Sequence, residues 1–234
     1  MRNIIFIAPP AAGKGTQAAI LKEKFNIAHI STGDLLREEV KKGTELGEYL
    51  SEQMKSGKLI KNEIVTELLK NRLENDDTNN GYILDGYPRS IEQAESLEEL
   101  LENLDKKIDY IFYLDIDEDI AMKRACGRLQ CGSCGKIYNK FFVESSPKEE
   151  GICDTCHIEL THREDDNEES FKKRFQTFIE STKPLIDYYK KQKLLYTIDS
   201  SISKEYTSEQ ISKVLTKQRW FNWLQLKPKR KLSY

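Results

Sequence analysis

An apolar run that halts at two prolines and a glycine–lysine turn constrains this chain more than any other feature. Ile4, Ile5, Phe6 and Ile7 are followed by Ala8, Pro9, Pro10, Ala11, Ala12, Gly13, Lys14, Gly15 and Thr16. A short run with no polar alternation reads as a strand buried on both faces, the kind found in parallel sheets. A tight turn after such a strand points backbone N–H groups inward, and the helix that follows adds positive potential at its N-terminus. Lys14 adds a full charge to that concavity, so the loop is expected to hold a nucleotide's phosphates. It departs from the usual G-x-x-x-x-G-K-[ST] pattern in that Ala8 stands where a glycine is expected and Gly15 separates Lys14 from Thr16.

Further β-prone runs fall at 82–84, 110–114 and 194–198, separated by helical patterns at 17–25, 34–42, 62–73, 90–104, 118–127 and 168–192. This alternation predicts an α/β fold, a parallel sheet with helices on both faces. Ligands in such folds bind beyond the carboxyl ends of the strands. Three motifs meet there: the loop above, the segment Asp85, Gly86, Tyr87, Pro88, Arg89, and Asp115. Residues 43–61 and 129–166 interrupt the alternation, the second as a turn-rich insertion with cysteines.

At 234 residues the chain fits one domain with insertions. Lys and Arg (37) nearly balance Asp and Glu (39), so no global attraction to nucleic acid or membrane follows from its net charge of −2. Residues 211–234 hold seven basic residues and no acid, which leaves the body at −2 − 7 = −9. No segment approaches the roughly 18 apolar residues of a membrane span, and the N-terminus is too short for a secretory signal. A soluble, cytoplasmic protein is expected.

Cys131, Cys134, Cys153 and Cys156 form two C-x-x-C knuckles eighteen residues apart, the spacing of a four-thiolate zinc site. Each knuckle brings two sulfurs to one ion from a single turn, and four thiolates leave no open position. The expected role is a structural staple for an insertion too small to have its own core. His157 reads as a solvated loop histidine and Cys126 as a small buried hydrophobe on a helix.

Taken together, the loop, the Asp85 to Arg89 segment and the cysteine insertion resemble adenylate kinases of the long-lid, zinc-bearing type. The resemblance runs over roughly residues 3–216. It is carried also by Ser31, Thr32, Gly33, Asp34, Leu35, Leu36 and Arg37, by Met54 through Ile60, by Gln93, and by Arg124 with Gly127 and Arg128. Thr161, His162, Arg163, Glu164, Asp165 and Asp166, followed by Arg174, complete it. It implies a P-loop nucleoside monophosphate kinase fold, a five-stranded parallel sheet with helices on both faces. It divides the chain into a CORE (1–30, 61–127, 167–216), an inserted NMP-binding segment (31–60), a zinc-ribbon LID (128–166) and a C-terminal tail (217–234).

The activity implied is reversible transfer of the γ-phosphoryl of Mg-ATP to AMP, giving two ADP. A phosphoryl in flight spreads negative charge over its oxygens, so cation density and positioning carry the catalysis. By resemblance, Ala11, Ala12, Gly13, Lys14, Gly15 and Thr16 hold the ATP phosphates, and Arg124 and Arg128 also face ATP, with Arg124 placed to stack on the base. Arg37 and Arg89 clamp the AMP phosphate, while Arg163 and Arg174 arrive from the lid side on closure. Thr32 and Gln93 face the AMP base, the Gln93 amide offering a donor and an acceptor; Met54, Lys58, Ile60 and Gly86 complete that site. Asp85 orients Mg²⁺ through its waters. Asp165 and Asp166 either pin the lid or belong to a solvated acidic run. Two alternatives stand beside this reading: a GTP:AMP phosphotransferase, and a catalytically weak nucleotide- or nucleic-acid-binding module.

Ala8 and Ala11 replace glycines of the family pattern. Ala8, at a strand end, fits β geometry; Ala11 is expected to be the more consequential change, costing about 1–2 kcal/mol if its φ is positive. The tail, with Trp220, Phe221 and Trp223 among its basic residues, reads as aromatic residues folded back on the CORE and a disordered basic end. An amphipathic helix touching anionic lipid or a partner is the alternative. A monomer is expected, with ATP, AMP and ADP as ligands and no nucleic acid.

Overall fold

The computed structural model describes residues 2–56, 59–163 and 165–225, with backbone alone over 217–225. Lys58 and the side chains of the tail lie outside the described residues. Five parallel strands form the main sheet: β1 (Asn3–Ile7), β2 (Ala28–Ser31), β3 (Tyr82–Asp85), β4 (Tyr110–Asp115) and, numbered last in the chain, β8 (Leu195–Asp199). Their order is β2-β3-β1-β4-β8, with Ile5 opposite Leu84 on one side and Ile111 on the other. β1 is therefore central, and the chain leaves it toward β2 and β3 on one side and β4 and β8 on the other.

Period-two geometry splits the apolar run of β1 between two cores. Ile5 and Ile7 face one that includes Leu69 of α4 (Asn62–Leu73), Leu97 of α5 (Ile91–Asn103) and Leu185 of α8 (Pro184–Lys191). Ile4 and Phe6 face the other, with Leu21 of α1 (Lys14–Phe25), Ala121 of α6 (Glu118–Cys126) and Ile211 of α9 (Lys204–Gln225). Both faces are covered, which is why β1 carries no polar alternation. Cys126 is half-buried at the end of α6.

β2 is absent from the sequence reading. It is four residues long and interleaves Ala28 and Ile30 with the more exposed His29 and Ser31, so it shows no continuous run. After it come α2 (Thr32–Lys41) and α3 (Glu45–Ser56), packed on each other. Ser31 caps α2 by accepting the Asp34 N–H at 3.2 Å, and Ser90 and Asn167 cap α5 and α7 (Glu168–Thr177) in the same way. The pattern at 168–192 predicts one helix; the structure replaces it with α7, a π-helical turn over Phe178–Thr182, and α8. Pro184 has no N–H to donate, and just before it Lys183 N–H reaches back five residues to the Phe178 carbonyl at 2.8 Å.

The cysteine insertion is a small antiparallel sheet of β5 (Arg128–Cys131), β6 (Ile137–Asn139) and β7 (Leu160–Thr161). Its apolar centre is Cys131, Tyr138, Cys153 and Leu160, with Leu129 and Cys156 against them. Two of its four buried members are cysteines, too little apolar surface for an independent core. Among the described residues no helix is long and apolar enough to cross a membrane.

Candidate active site

A cleft of about 890 Å³ opens at the carboxyl ends of the central strands, between the main sheet, the α2–α3 segment and the cysteine insertion. The loop after β1 forms its floor. Gly13 takes φ 93 at the start of α1, where no side chain caps the helix, so the first N–H groups of α1 stay available to an anion. Ala11 stands at φ 58, in the left-handed region, whereas Ala8 does not. The Ala11 substitution is thus the strained one, as its place in the turn suggests, and Ala8 packs as a buried residue just after β1. Lys14 Nζ donates to the carbonyls of Ala8 at 3.1 Å and Pro9 at 3.2 Å. Desolvation pulls its pKa from 10.5 to about 8; Asp85 opposes this, and the charges of Arg89, Arg174 and Arg128 add to it.

Asp85, at the end of β3, faces Lys14 across the loop. A side chain on Gly15 would approach its carboxylate to 3.7 Å, so the loop and this acid line one space. Desolvation pushes Asp85 up, but the hydrogen bond from His29 and the charge of Lys14 outweigh it and hold the carboxyl below its usual range. His29 Nε2 lies 3.4 Å from Asp85 Oδ2.

The arginines converge from four elements, with Arg37 on α2, Arg124 on α6, Arg128 on β5 and Arg174 on α7, and from two loops that carry Arg89 and Arg163. Arg89 Nε donates to the Gly86 carbonyl at 2.7 Å, Arg37 pairs with Asp34 at 2.5 Å, and Arg163 Nε donates to Gln130 Oε1 at 3.0 Å. Desolvation, then Arg128 and Arg37, pull the Arg163 pKa down, while Asp166 and Asp165 oppose them. Desolvation followed by Arg174 and Arg37 does the same at Arg89, against Asp85. Cations brought this close repel one another until an anion sits among them.

Asp166 is buried and binds Arg128, whose Nε donates to it at 2.6 Å and whose Nη2 donates to its other oxygen. Arg174 donates to the Asp165 carboxylate at 2.7 Å and carbonyl at 2.8 Å, and its Nη2 lies 3.6 Å from Asp166. A solvated acidic run is therefore the wrong description of Asp166, whose side chain has no exposed surface. Arg124 sits over the Phe142 ring at 6.0 Å, but both its Nη atoms donate to backbone carbonyls, of Ser200 at 2.8 Å and Ser201 at 3.1 Å. Toward the other end of the cleft, Thr32 and Gln93 are buried, Met54 and Ile60 line the wall, and Thr32 Oγ1 donates to the Asp85 carbonyl at 3.3 Å. Gln93 does not offer a free donor–acceptor edge: its Oε1 accepts the Arg89 N–H at 2.8 Å. Gly86 has φ 90, and a side chain there would meet Thr32 Oγ1 at 2.8 Å and Arg89 at 3.0 Å.

The four cysteine sulfurs of the insertion lie within 4.8 Å of one another, Cys134 and Cys153 at 3.7 Å. Tetrahedral thiolates at about 2.3 Å from a zinc ion stand roughly 3.8 Å apart. The donor set therefore fits a four-coordinate metal, and His157, exposed and outside the cluster, takes no part in it.

The family model of adenylate kinase matches residues 6–194. The chain is 44% identical over 215 residues to an adenylate kinase of Archaeoglobus fulgidus, covering 92% of this chain and 98% of that one. It is 46% identical over 213 residues to one of Caldicellulosiruptor saccharolyticus (91% and 98%), and 45% identical over 203 residues to one of Fervidobacterium nodosum (87% and 92%). The chain belongs to the adenylate kinase family.

Within this adenylate kinase family member the cleft brings together Ala11 to Thr16, Thr32, Arg37, Met54, Ile60, Asp85, Gly86, Arg89, Gln93, Arg124, Arg128, Arg163 and Arg174. Sequence reasoning missed His29, Phe142 and Thr182, which line the same cleft. An aromatic residue in the cysteine insertion was the available signal for Phe142. None existed for His29 or Thr182, whose partners lie 56 and 93 residues away.

Proposed function

We infer that this chain is an adenylate kinase, transferring the γ-phosphoryl of Mg-ATP reversibly to AMP to give two ADP. The observation that carries the reading is the convergence of Lys14, Arg89, Arg128, Arg163 and Arg174 on one cleft beyond a glycine–lysine loop at the carboxyl end of β1. In this reading the N-terminal N–H groups of α1 and Lys14 hold the β- and γ-phosphates, and Arg124 and Phe142 flank the base of ATP. Arg37 and Arg89 fork onto the AMP phosphate, with Thr32 and Gln93 below its base. Arg128, Arg163 and Arg174 surround the phosphoryl between the two nucleotides. Guanidinium groups suit this task because they stay charged when desolvated and bind phosphate oxygens in pairs. With donor and acceptor oxygens held in line, the loss of translational freedom on binding supplies much of the acceleration.

Mg²⁺ bound with ATP would offset phosphate charge, and Asp85, ionised and in the cleft beside the loop, is the carboxylate suited to orient it. Zinc at Cys131, Cys134, Cys153 and Cys156 would hold the insertion as one rigid unit. That unit, residues 128–166, acts as a lid whose closure excludes water and whose opening releases product. ADP formation by the purified protein, measured with AMP as acceptor and ATP or GTP as donor in the presence of Mg²⁺, tests the function. Turnover with ATP and AMP is expected; absence of ADP would overturn the reading, and preference for GTP would revise the donor.

A further inference from the structure

Thr182 is the last residue of the π-helical turn and is buried, yet its side chain does not make the bond expected of a helical threonine. Threonine hydroxyls in helices return to the carbonyl of their own preceding turn. Thr182 Oγ1 instead donates to the carbonyl of Arg89 at 2.8 Å, across 93 residues. π-helical turns carry an extra residue per turn, so the face beyond them is rotated relative to a regular helix. Here that rotation brings Thr182 to Arg89 while α8 keeps Leu185, Ile186 and Tyr189 in the core.

Arg89 is thereby held at three points. Its N–H donates to Gln93 Oε1 at 2.8 Å, its carbonyl accepts from Thr182, and its Nε donates to the Gly86 carbonyl at 2.7 Å. Thr182 also stands at the end of the helical segment that begins with α7 and carries Arg174. One hydroxyl thus joins the element bearing Arg174 to the loop bearing Arg89, whose pKa the charge of Arg174 helps to lower.

We propose that Thr182 is a positioning residue for phosphoryl transfer: its hydroxyl fixes the Arg89 main chain, and with it the acceptor-phosphate clamp, relative to Arg174. The inference rests on the reading of Arg89 as the AMP-phosphate clamp. Thr182→Val keeps the shape and removes the donor, leaving the Arg89 carbonyl without its partner. Loss of one such bond predicts a roughly 5-fold rise in the KM for AMP, with the KM for ATP unchanged and Thr182→Ser restoring the wild-type value. Thr182→Ala carries the same test if the valine variant does not fold.

Arg89→Ala is measured in parallel. If it raises the AMP KM and Thr182→Val does not, the proposal falls and the clamp reading stands. If Arg89→Ala itself leaves the AMP KM unchanged, the clamp reading falls and takes the proposal with it. Combined with Arg89→Ala, Thr182→Val is expected to add less than about 2-fold, because residues acting through one another are not additive. A full additional rise, or equal losses for AMP and ATP, would overturn the positioning role.

Discussion

Removal of the Asp166 carboxylate is the sharpest test of how the arginine cluster is held before substrate arrives. The Asp166 side chain has no exposed surface, while those of Arg128 and Arg174 are 18% and 22% exposed. Deleting one member of a buried ion pair costs about 3–5 kcal/mol, because the partner is left charged and desolvated. Two features place Asp166→Ala at the low end. Arg174 keeps its pair with Asp165, and both guanidinium groups border a cleft that water can enter. A loss of about 3 kcal/mol follows, equivalent to a fall in Tm of roughly 6–12 °C for a chain of this size. Urea denaturation at neutral pH reads the free energy and calorimetry the Tm. A nonhydrolysable ATP analogue brings the anion that Arg128 has lost, so it should raise the Tm of Asp166→Ala by more than it raises that of the wild type. A loss below about 1 kcal/mol, or equal stabilisation of both proteins by the analogue, would refute the argument.

Ala11→Gly relieves a left-handed alanine worth about 1–2 kcal/mol and loses about 0.5–1 kcal/mol to the flexibility of glycine; calorimetry should show a Tm that rises by a few degrees and does not fall. The Lys14 pKa of about 8 lies below the ordinary 10.5, so the unfolded chain binds the extra proton between those values and stability increases with pH across that window. The ceiling is about 3 kcal/mol, reduced by the partial exposure of Lys14. The difference in stability between wild type and Lys14→Met, measured by denaturation at matched pH, should increase in favour of the wild type across this window. Gly86→Ala forces a side chain against Thr32 and Arg89 at φ 90 and should raise the AMP KM roughly 10-fold with little change for ATP. Cys153→Ser, or chelation of the metal, should lower the melting temperature and the bound zinc together, while activity per folded molecule falls less.

Legibility followed the range of the interactions. β1, β3 and β4 could be read because strands in the middle of the sheet carry nearly uninterrupted buried apolar residues; β8, at the sheet edge and only partly buried, was legible from its β-prone residues. β2 could not, since its four residues alternate. The π-helical turn is invisible in residues 178–182, which continue the helical pattern; Pro184 alone hints that the helix cannot run on. The cysteine knuckles announced a metal site through spacing, and the structure added the sulfur distances. Asp165 and Asp166 illustrate the limit: adjacent acids read alike, yet Asp166 is sealed against Arg128 and Asp165 is partly open to solvent.

Residue type and spacing by themselves determined what is local: a strand ending in a loop that favours phosphate, two thiolate knuckles, and Ala11 at the turn position where glycine is preferred. These depend on covalent neighbours and on backbone geometry within a few residues. Only the tertiary structure decided which arginines share one cleft, which acid lies buried beneath them, and that Thr182 and Gln93 hold Arg89 from both sides of its main chain. Those outcomes depend on burial and on partners tens of residues away, and a desolvated charge acquires its energy only once the surrounding chain has excluded water from it.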